Sequence, residues 1–194
     1  MNIAHLLTFL RIILIPLFPV FYLYYVPFNL NIKVLPYILL SILAVCEFTD
    51  LIDGVVARKK NKVTNFGKII DPLADTIAHT SIFFTFTQGL ISVPLLIVFI
   101  LLYRELIIGG LRTLCALRGI ALSARNSGKI KTLILATISF IVILMIIPYS
   151  YDMISIDFLQ SSSLILIIIG CIASVYSAID YFLYNHKLLR NIFE

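Results

Sequence analysis

Charged residues are scarce in this sequence. Asp, Glu, Lys and Arg make up 13% of its 194 residues and hydrophobic residues 61%, whereas soluble domains average about 25% charged and roughly 45–50% apolar residues. With a mean hydropathy of +1.06, the chain is not expected to fold as a soluble domain. We predict an all-α integral membrane protein.

Cysteines and processing signals are few as well. The cysteines (Cys46, Cys115 and Cys171) lie within apolar stretches, which argues against a disulfide framework. The first apolar run lacks a small-residue cleavage site, so no cleaved signal segment is expected. Without an internal repeat or second domain, residues 1–194 are interpreted as one transmembrane domain. The net charge of +5 fits basic loops facing anionic membrane lipids, and no nucleic-acid partner is expected.

Apolar runs of about 20 residues predict six transmembrane helices. We expect them at about 12–29, 35–58, 67–87, 95–118, 130–149 and 159–184. Pro16 and Pro19 would be tolerated as kinks in the first helix, Pro148 would end the fifth, and residues 1–10 would form a short interfacial segment.

Basic residues are nearly absent from three of the predicted loops. Those near residues 30, 90 and 152 contain only Lys33, whereas the loops at 58–68 and 118–131 and the C-terminal tail are basic. Because basic loops remain in the cytoplasm, both termini are expected on the cytoplasmic side of a multi-pass protein.

Four aspartates occupy regular spacings on the second and third predicted helices. Residues 50–75 read DLIDGVVARKKNKVTNFGKIIDPLAD, with Asp50 and Asp53 three residues apart and Asp71 and Asp75 four apart. Each pair shares one helix face. Because the two helices run antiparallel through a basic loop, all four carboxylates are expected to meet in one cavity near the cytoplasmic boundary.

Four ionised carboxylates close together at low dielectric repel one another strongly. Helix capping or pairing with Arg and Lys explains Asp71, which precedes Pro72, but does not explain all four. Oxygen-only ligands without His or Cys favour Mg²⁺ or Mn²⁺ over zinc. The eight oxygens suffice for two ions roughly 3.5–4 Å apart, as in phosphoryl-transfer sites.

Two glycines accompany the aspartates. Gly54 and Gly67 each cost about 1 kcal/mol relative to Ala inside a helix. They let a ligand approach the backbone beside the metals, with close helix packing as the alternative. Ala57 keeps the same approach narrow, and Arg58 is placed to contact a phosphate.

These positions together resemble the signature of the CDP-alcohol phosphotransferases. The pattern D-x2-D-G-x2-A-R-x8-G-x3-D-x3-D is matched by Asp50, Asp53, Gly54, Ala57, Arg58, Gly67, Asp71 and Asp75. The resemblance implies a six-helix fold, usually a homodimer, and a two-metal site at which an alcohol attacks a CDP-linked phosphate and CMP leaves. It implies that the metal ligands are Asp50, Asp53, Asp71 and Asp75.

The resemblance further implies that Asp75 is the base that takes the hydroxyl proton. The cytidine nucleotide would be held by Asp53, Gly54, Ala57, Arg58 and Gly67.

Further segments are similar to one bacterial branch of this family. They are NIAHLLTFLRIILIPLF at the start, DPLAD, REL-x3-GLR at 104–112 and GKIKT at 128–132. This resemblance implies transfer of the phosphatidyl group from CDP-diacylglycerol to glycerol 3-phosphate, at the cytoplasmic side of a bacterial inner membrane. Two positions depart from it. Thr76 stands where this branch commonly has Lys. Glu47 is not expected from the family pattern, and this residue would either join the metal site or pair with Arg or Lys.

Basic residues predict a second anionic site. Arg112 is placed near the depth of the aspartates and, with Lys129 and Lys131 across the loop, suits the phosphate of glycerol 3-phosphate. Positive-inside bias and headgroup contact are the alternative. Arg11 would either contact the same phosphate or anchor the chain at the interface.

Three ionisable residues fall deeper in the predicted helices. Arg104 and Glu105, near mid-membrane, are expected to face the protein interior and pair with a neighbouring helix. His79, one turn after Asp75, would support the metal site or pack against polar neighbours.

Two other functions fit parts of the pattern. The same chemistry could use another acceptor: phosphatidylglycerol (giving cardiolipin), serine or an inositol phosphate. An uncharged or zwitterionic acceptor would not need three clustered cations. The aspartates would also suit a divalent-cation transporter, but a transporter needs polar residues leading to both faces, and the outer halves of the helices are almost wholly apolar.

Overall fold

The computed structural model describes the backbone of residues 3–59, 67–117 and 126–193, and side chains within 8–49, at 70, and within 73–115 and 126–186. Its regular structure in these ranges is helical. The helices are α1 (Ile3–Leu14), α2 (Leu17–Tyr24), α3 (Leu35–Lys59), α4 (Gly67–Thr85), α5 (Leu95–Leu117), α6 (Asn126–Ser150) and α7 (Ile156–Phe193).

The first predicted span, at 12–29, is interrupted and shorter than expected. α1 begins at Ile3, within the predicted interfacial segment 1–10, and ends at Leu14, and α2 covers only Leu17–Tyr24. Pro16, between them, has no N–H and clashes with the preceding turn, so the α-helical ladder stops there. Pro19 lies in the first turn of α2, where its missing N–H has no intrahelical partner to lose. The described residues contain seven helices, and the prediction of six transmembrane helices is not confirmed.

The remaining predicted helices are observed, with shifted ends. α3, α4 and α5 lie where the apolar runs placed them. α6 begins at Asn126 and continues through Pro148 to Ser150, so the prediction that Pro148 ends it is wrong. In the last turn of a helix a proline removes few hydrogen bonds. α7 extends to Phe193, beyond the predicted end at 184.

Contacts between loops define the two ends of the helix bundle. The Gln160 amide donates a hydrogen bond to the Leu90 carbonyl (3.2 Å). The Lys33 ammonium lies 4.8 Å from the centre of the Tyr151 ring. The loops after α2, α4 and α6 therefore share one end, which we call the loop end. The opposite end, where α3 and α5 finish and α4 and α6 begin, is called the motif end.

Aromatic packing closes the core at the loop end. Phe86 lies edge-on to Phe18, Tyr22 and Phe83, with ring centres 6.0–6.1 Å apart. The buried Tyr22 hydroxyl donates to the Gln88 carbonyl (3.2 Å) and accepts from the Ile91 N–H (3.0 Å). The intervening Gly89 has φ +70°, and a Cβ there would lie 3.1 Å from the Tyr22 ring. This turn therefore requires glycine.

The outer faces of α5 and α7 expose large apolar side chains. Leu96, Tyr103, Ile172, Tyr176 and Leu183 are each more than 60% exposed, and contiguous apolar surface of this kind is rare on soluble monomers. Within the described residues, two helical segments, Asn126–Ser150 and Ile156–His186, are long and apolar enough to cross a membrane, with mean hydropathy 2.6 and 2.2. Together with the composition, these faces indicate a membrane protein.

Candidate active site

The aspartate motif lies at the motif end of α3 and α4. The backbones of Asp50 and Asp53 belong to α3, and those of Asp71 and Asp75 to α4. The side chain of Asp75 is described. The other predicted metal and nucleotide ligands lie outside the described side chains: Asp50, Asp53, Gly54, Ala57, Arg58, Gly67 and Asp71. The convergence of all four carboxylates therefore stays a prediction.

Asp75 forms an ion pair with Arg11 of α1. The Arg11 side chain is only 3% exposed, whereas Asp75 is 39% exposed. A guanidinium buried between helices does not fit anchoring at the membrane interface. The alternative that Arg11 anchors the chain there is therefore wrong. The predicted contact of Arg11 with an acceptor phosphate is not tested. Its observed role is to hold the carboxylate of Asp75 while one side of Asp75 stays accessible.

A small cavity of about 20 Å³ lies beside this pair, between α1, α3, α4 and α6. Its polar lining consists of Arg11, Glu47, Asp75, His79 and Thr132. Two residues with carboxylate side chains, Glu47 of α3 and Asp75 of α4, therefore line one space. Asp50 follows Glu47 by three residues and Asp71 precedes Asp75 by four, so the cavity lies between the two helices that carry the aspartate pairs.

The cavity combines carboxylate-bearing residues with a cation. Glu47 and Asp75 line it from two helices, and carboxylate oxygens are the ligand type that Mg²⁺ and Mn²⁺ prefer. Arg11 lines it as well and is paired with Asp75, so one oxygen of Asp75 is already engaged. Among the side chains that the structure describes, no three His, Cys, Asp or Glu residues are grouped closely enough to hold a metal ion. Three of the four motif aspartates are not among those side chains.

His79, one turn deeper on α4, is buried and lines the same cavity. Its Nδ1 atom has no hydrogen-bond partner within the described part of the chain. Its burial beside Arg11, Asp75 and Thr132 agrees with packing against polar neighbours, and its support of a metal site stays a prediction.

The predicted interhelical ion pair of Glu105 is confirmed, and its partner is Lys131 of α6. The Lys131 ammonium is 2.5 Å from Glu105 Oε1, and Arg104 Nη1 is 3.0 Å from the same oxygen. Arg104 Nη2 also donates to the Ser177 hydroxyl (2.9 Å). This network connects α5, α6 and α7. Arg104 and Lys131 are almost fully buried.

Arg112 lies at the motif end, beside the start of α6. Its guanidinium is 5.4 Å from the centre of the Tyr181 ring, a cation–π contact. A Cβ added to Gly128 would lie 3.9 Å from Arg112 Nη2 and 4.0 Å from the Ser177 hydroxyl. No carboxylate pairs with Arg112 among the described residues. Its position close to a helix N-terminus suits Arg112 to bind an anion, although the Asp180 carboxylate already accepts a hydrogen bond from Ser127 in that first turn (2.5 Å).

The structure does not place the three predicted acceptor cations on one surface. Lys129 is exposed, whereas Lys131 is 4% exposed and paired with Glu105. Residues two apart on a helix face different directions, so α6 presents the two lysines to different surroundings. Arg112 lies near the first turn of the same helix.

Sequence reasoning missed two residues of α7 in this region, Ser177 and Tyr181, which contact Arg104 and Arg112. Their signal was present: both are polar and lie four residues apart in a long apolar helix, so they share a face.

Comparison with known proteins gives a consistent family. The sequence profile of CDP-alcohol phosphatidyltransferases matches residues 1–176. A CDP-diacylglycerol–glycerol-3-phosphate 3-phosphatidyltransferase from Bacillus subtilis is 30% identical over 197 residues, covering 97% of each chain. The Haemophilus influenzae enzyme of that name is 30% identical over 98% of this chain and 97% of its own. The Rickettsia typhi enzyme is 34% identical over 68% and 70%. With a profile match over most of its length and relatives aligned nearly end to end, this chain belongs to the CDP-alcohol phosphatidyltransferase family.

Proposed function

We propose that this protein transfers the phosphatidyl group of CDP-diacylglycerol to glycerol 3-phosphate, forming phosphatidylglycerophosphate and CMP. The observation that carries the proposal is the cavity beside Asp75, which α3 and α4 line together, with the cationic groups of α5 and α6 nearby. Relatives named for this activity align over almost the whole chain.

In the proposed reaction, a hydroxyl oxygen of glycerol 3-phosphate attacks the phosphorus that bears the diacylglycerol. The bond from this phosphorus to the CMP oxygen breaks, and CMP leaves with the electron pair. Asp75 takes the proton of the attacking hydroxyl. Its pairing with Arg11 supports this role, because a carboxylate held from one side keeps a fixed direction toward its substrate.

The proposed cofactors are two Mg²⁺ or Mn²⁺ ions. When bound, they would neutralise the pyrophosphate and the leaving group. The residues proposed to hold them are Asp50, Asp53, Asp71 and Asp75. The nucleotide would lie along the start of α4 and the end of α3, at Asp53, Gly54, Ala57, Arg58 and Gly67.

The proposed acceptor site lies at the first turn of α6. Arg112 supports it, being a cation that no described carboxylate neutralises. The amide groups of the α6 N-terminus add a positive field. The exposed Lys129 would contribute positive charge at the protein surface, and the buried Lys131 would contribute it from the protein interior. A phosphate-bearing acceptor suits such a site better than serine does, because serine is zwitterionic and carries no phosphate.

We further propose that the protein is multi-pass, with its motif end and both termini in the bacterial cytoplasm, and that it forms a homodimer. The basic loops support this orientation. The acyl chains of CDP-diacylglycerol would then stay in the lipid beside the exposed apolar faces of α5 and α7.

The test is an acceptor panel. Purified protein receives CDP-diacylglycerol with Mg²⁺ or Mn²⁺ and one of glycerol 3-phosphate, phosphatidylglycerol, serine or inositol phosphate, and CMP release is measured. The proposal expects turnover with glycerol 3-phosphate that exceeds the others at least about tenfold. Turnover with a different alcohol alone would contradict the choice of acceptor, and turnover with none would contradict the reaction.

A further inference from the structure

The buried network on α5, α6 and α7 holds more positive than negative charge. Arg104 and Lys131 share one carboxylate, Glu105, and both bonds go to the same oxygen, Oε1. Burying an unbalanced charge is costly, particularly inside a membrane protein. The Asp75 carboxylate also attracts Lys131, but Asp75 is paired with Arg11. Among the described residues, Glu105 is therefore the one carboxylate that bonds directly to the two cations of the network.

The hydrogen-bond donors of the network also exceed its acceptors. A lysine ammonium has three N–H donors, and one hydrogen bond of Lys131 is observed in the described part of the chain, to Glu105. Arg104 Nε is buried and has no hydrogen-bond partner among the described residues. Buried donors are normally paired, so the unmatched donors are open to a bound ligand.

The network borders the two sites described above. The residue after Lys131, Thr132, lines the cavity that contains Asp75. On its other side, the Ser177 hydroxyl that binds Arg104 lies near Gly128, as does the guanidinium of Arg112. An anion held here would lie between the proposed base and the proposed acceptor cation.

We propose that Glu105 is a positioning residue for the acceptor phosphate: it holds Lys131 and Arg104 in place so that their remaining donors bind that phosphate together with Arg112. The inference rests on the proposed function. Without the carboxylate, Lys131 and Arg104 lose their shared anchor and repel each other. Both glycerol 3-phosphate and CDP-diacylglycerol carry phosphate groups that could bind these donors. We assign the site to glycerol 3-phosphate because the nucleotide motif lies on α3 and α4.

The test measures KM for each substrate separately in Glu105→Gln, in Lys131→Met and in the double variant. Glu105→Gln is expected to raise the KM for glycerol 3-phosphate about tenfold, since it weakens charge-assisted contacts. The KM for CDP-diacylglycerol should stay within about twofold. Because Glu105 acts partly through Lys131 and partly through Arg104, the KM of the double variant should exceed that of Lys131→Met but stay below the product of the two single effects. Asp157→Asn, an exposed carboxylate at the loop end, is the matched control and should match the unsubstituted enzyme.

A purely structural role for Glu105 predicts different results. Thermal unfolding would shift downward while both KM values stayed unchanged, or the two single substitutions would add in the double variant; either result overturns the inference. A rise in the KM for CDP-diacylglycerol instead would assign the phosphate to the donor and also overturn it. Should Glu105→Gln fail to fold, Glu105→Asp replaces it, with a smaller expected rise in the same KM.

The wild-type enzyme separates this inference from the proposed function. If wild type shows no turnover with glycerol 3-phosphate, the proposed function fails. Calorimetric titration with inorganic phosphate then tests the site alone. Binding by wild type that weakens about tenfold in Glu105→Gln supports the phosphate site, and absent or unchanged binding overturns it.

Discussion

The two ends of the bundle bury different kinds of polar side chain, a neutral tyrosine at the loop end and charged groups toward the motif end. At the loop end, the Tyr22 hydroxyl both donates and accepts, and its partners are backbone groups of one turn. At the motif end, Arg104 and Lys131 share one carboxylate oxygen and His79 Nδ1 has no partner within the described chain. Paired groups stabilise a fold, whereas unmatched buried donors lower its stability unless a ligand completes them. The difference agrees with a structural role for the loop end and with the proposed substrate site at the motif end.

The largest loss of activity is expected from substitution of the proposed base at the motif end. Asp75→Asn should lower the rate of CMP release at least about 10²-fold, the usual contribution of a general base. Gln160→Leu, which removes a polar contact at the loop end, is the control and should keep activity within about twofold. Near-normal activity in Asp75→Asn would mean that Asp75 is not the base.

Metal removal should affect only the motif end. A chelator is expected to abolish CMP release, because carboxylates without their cations repel one another and cannot neutralise the pyrophosphate. Readdition of Mg²⁺ or Mn²⁺ should restore the rate, and unfolding of the loop-end core should be unchanged. Full activity in excess chelator would rule out a role for divalent ions.

Arg112 and Lys129 should differ in how much they contribute to binding glycerol 3-phosphate. Arg112→Met is expected to raise the KM for glycerol 3-phosphate about tenfold, because Arg112 lies against Tyr181 and the first turn of α6. Lys129→Met should raise it only about twofold, since an exposed lysine contributes a screened charge. Equal effects of the two substitutions would contradict the placement of the site beside Arg112.

The smallest expected change in activity comes from the loop end. Tyr22→Phe leaves the buried Ile91 N–H without its acceptor, which should cost about 1–3 kcal/mol of stability. Thermal unfolding in detergent should occur at a lower temperature, with kcat and both KM values unchanged. A loss of catalysis at temperatures where this variant remains folded would show that the two ends are not independent.

Much of the helical architecture could be predicted from the sequence, since helix formation leaves a local pattern of apolar residues. The metal site stays a prediction. Long apolar runs predicted α3 to α5, and the charges of Arg104 and Glu105 within an apolar run predicted an interhelical ion pair. The break at Pro16 could not be predicted, because a kinked and a broken helix have the same apolar pattern. The pairing of Arg11 with Asp75 joins residues 64 apart in the chain, and periodicity carries no information about such contacts.

The central claim is that α3 and α4 hold divalent cations between their carboxylates, and Mn²⁺ binding to purified protein tests it most directly. Electron paramagnetic resonance titration should detect two Mn²⁺ ions bound per chain. Asp71→Asn should lose at least one of them, and Asp157→Asn should lose none. Absence of bound Mn²⁺ in wild type, or undiminished binding in Asp71→Asn, would contradict the account.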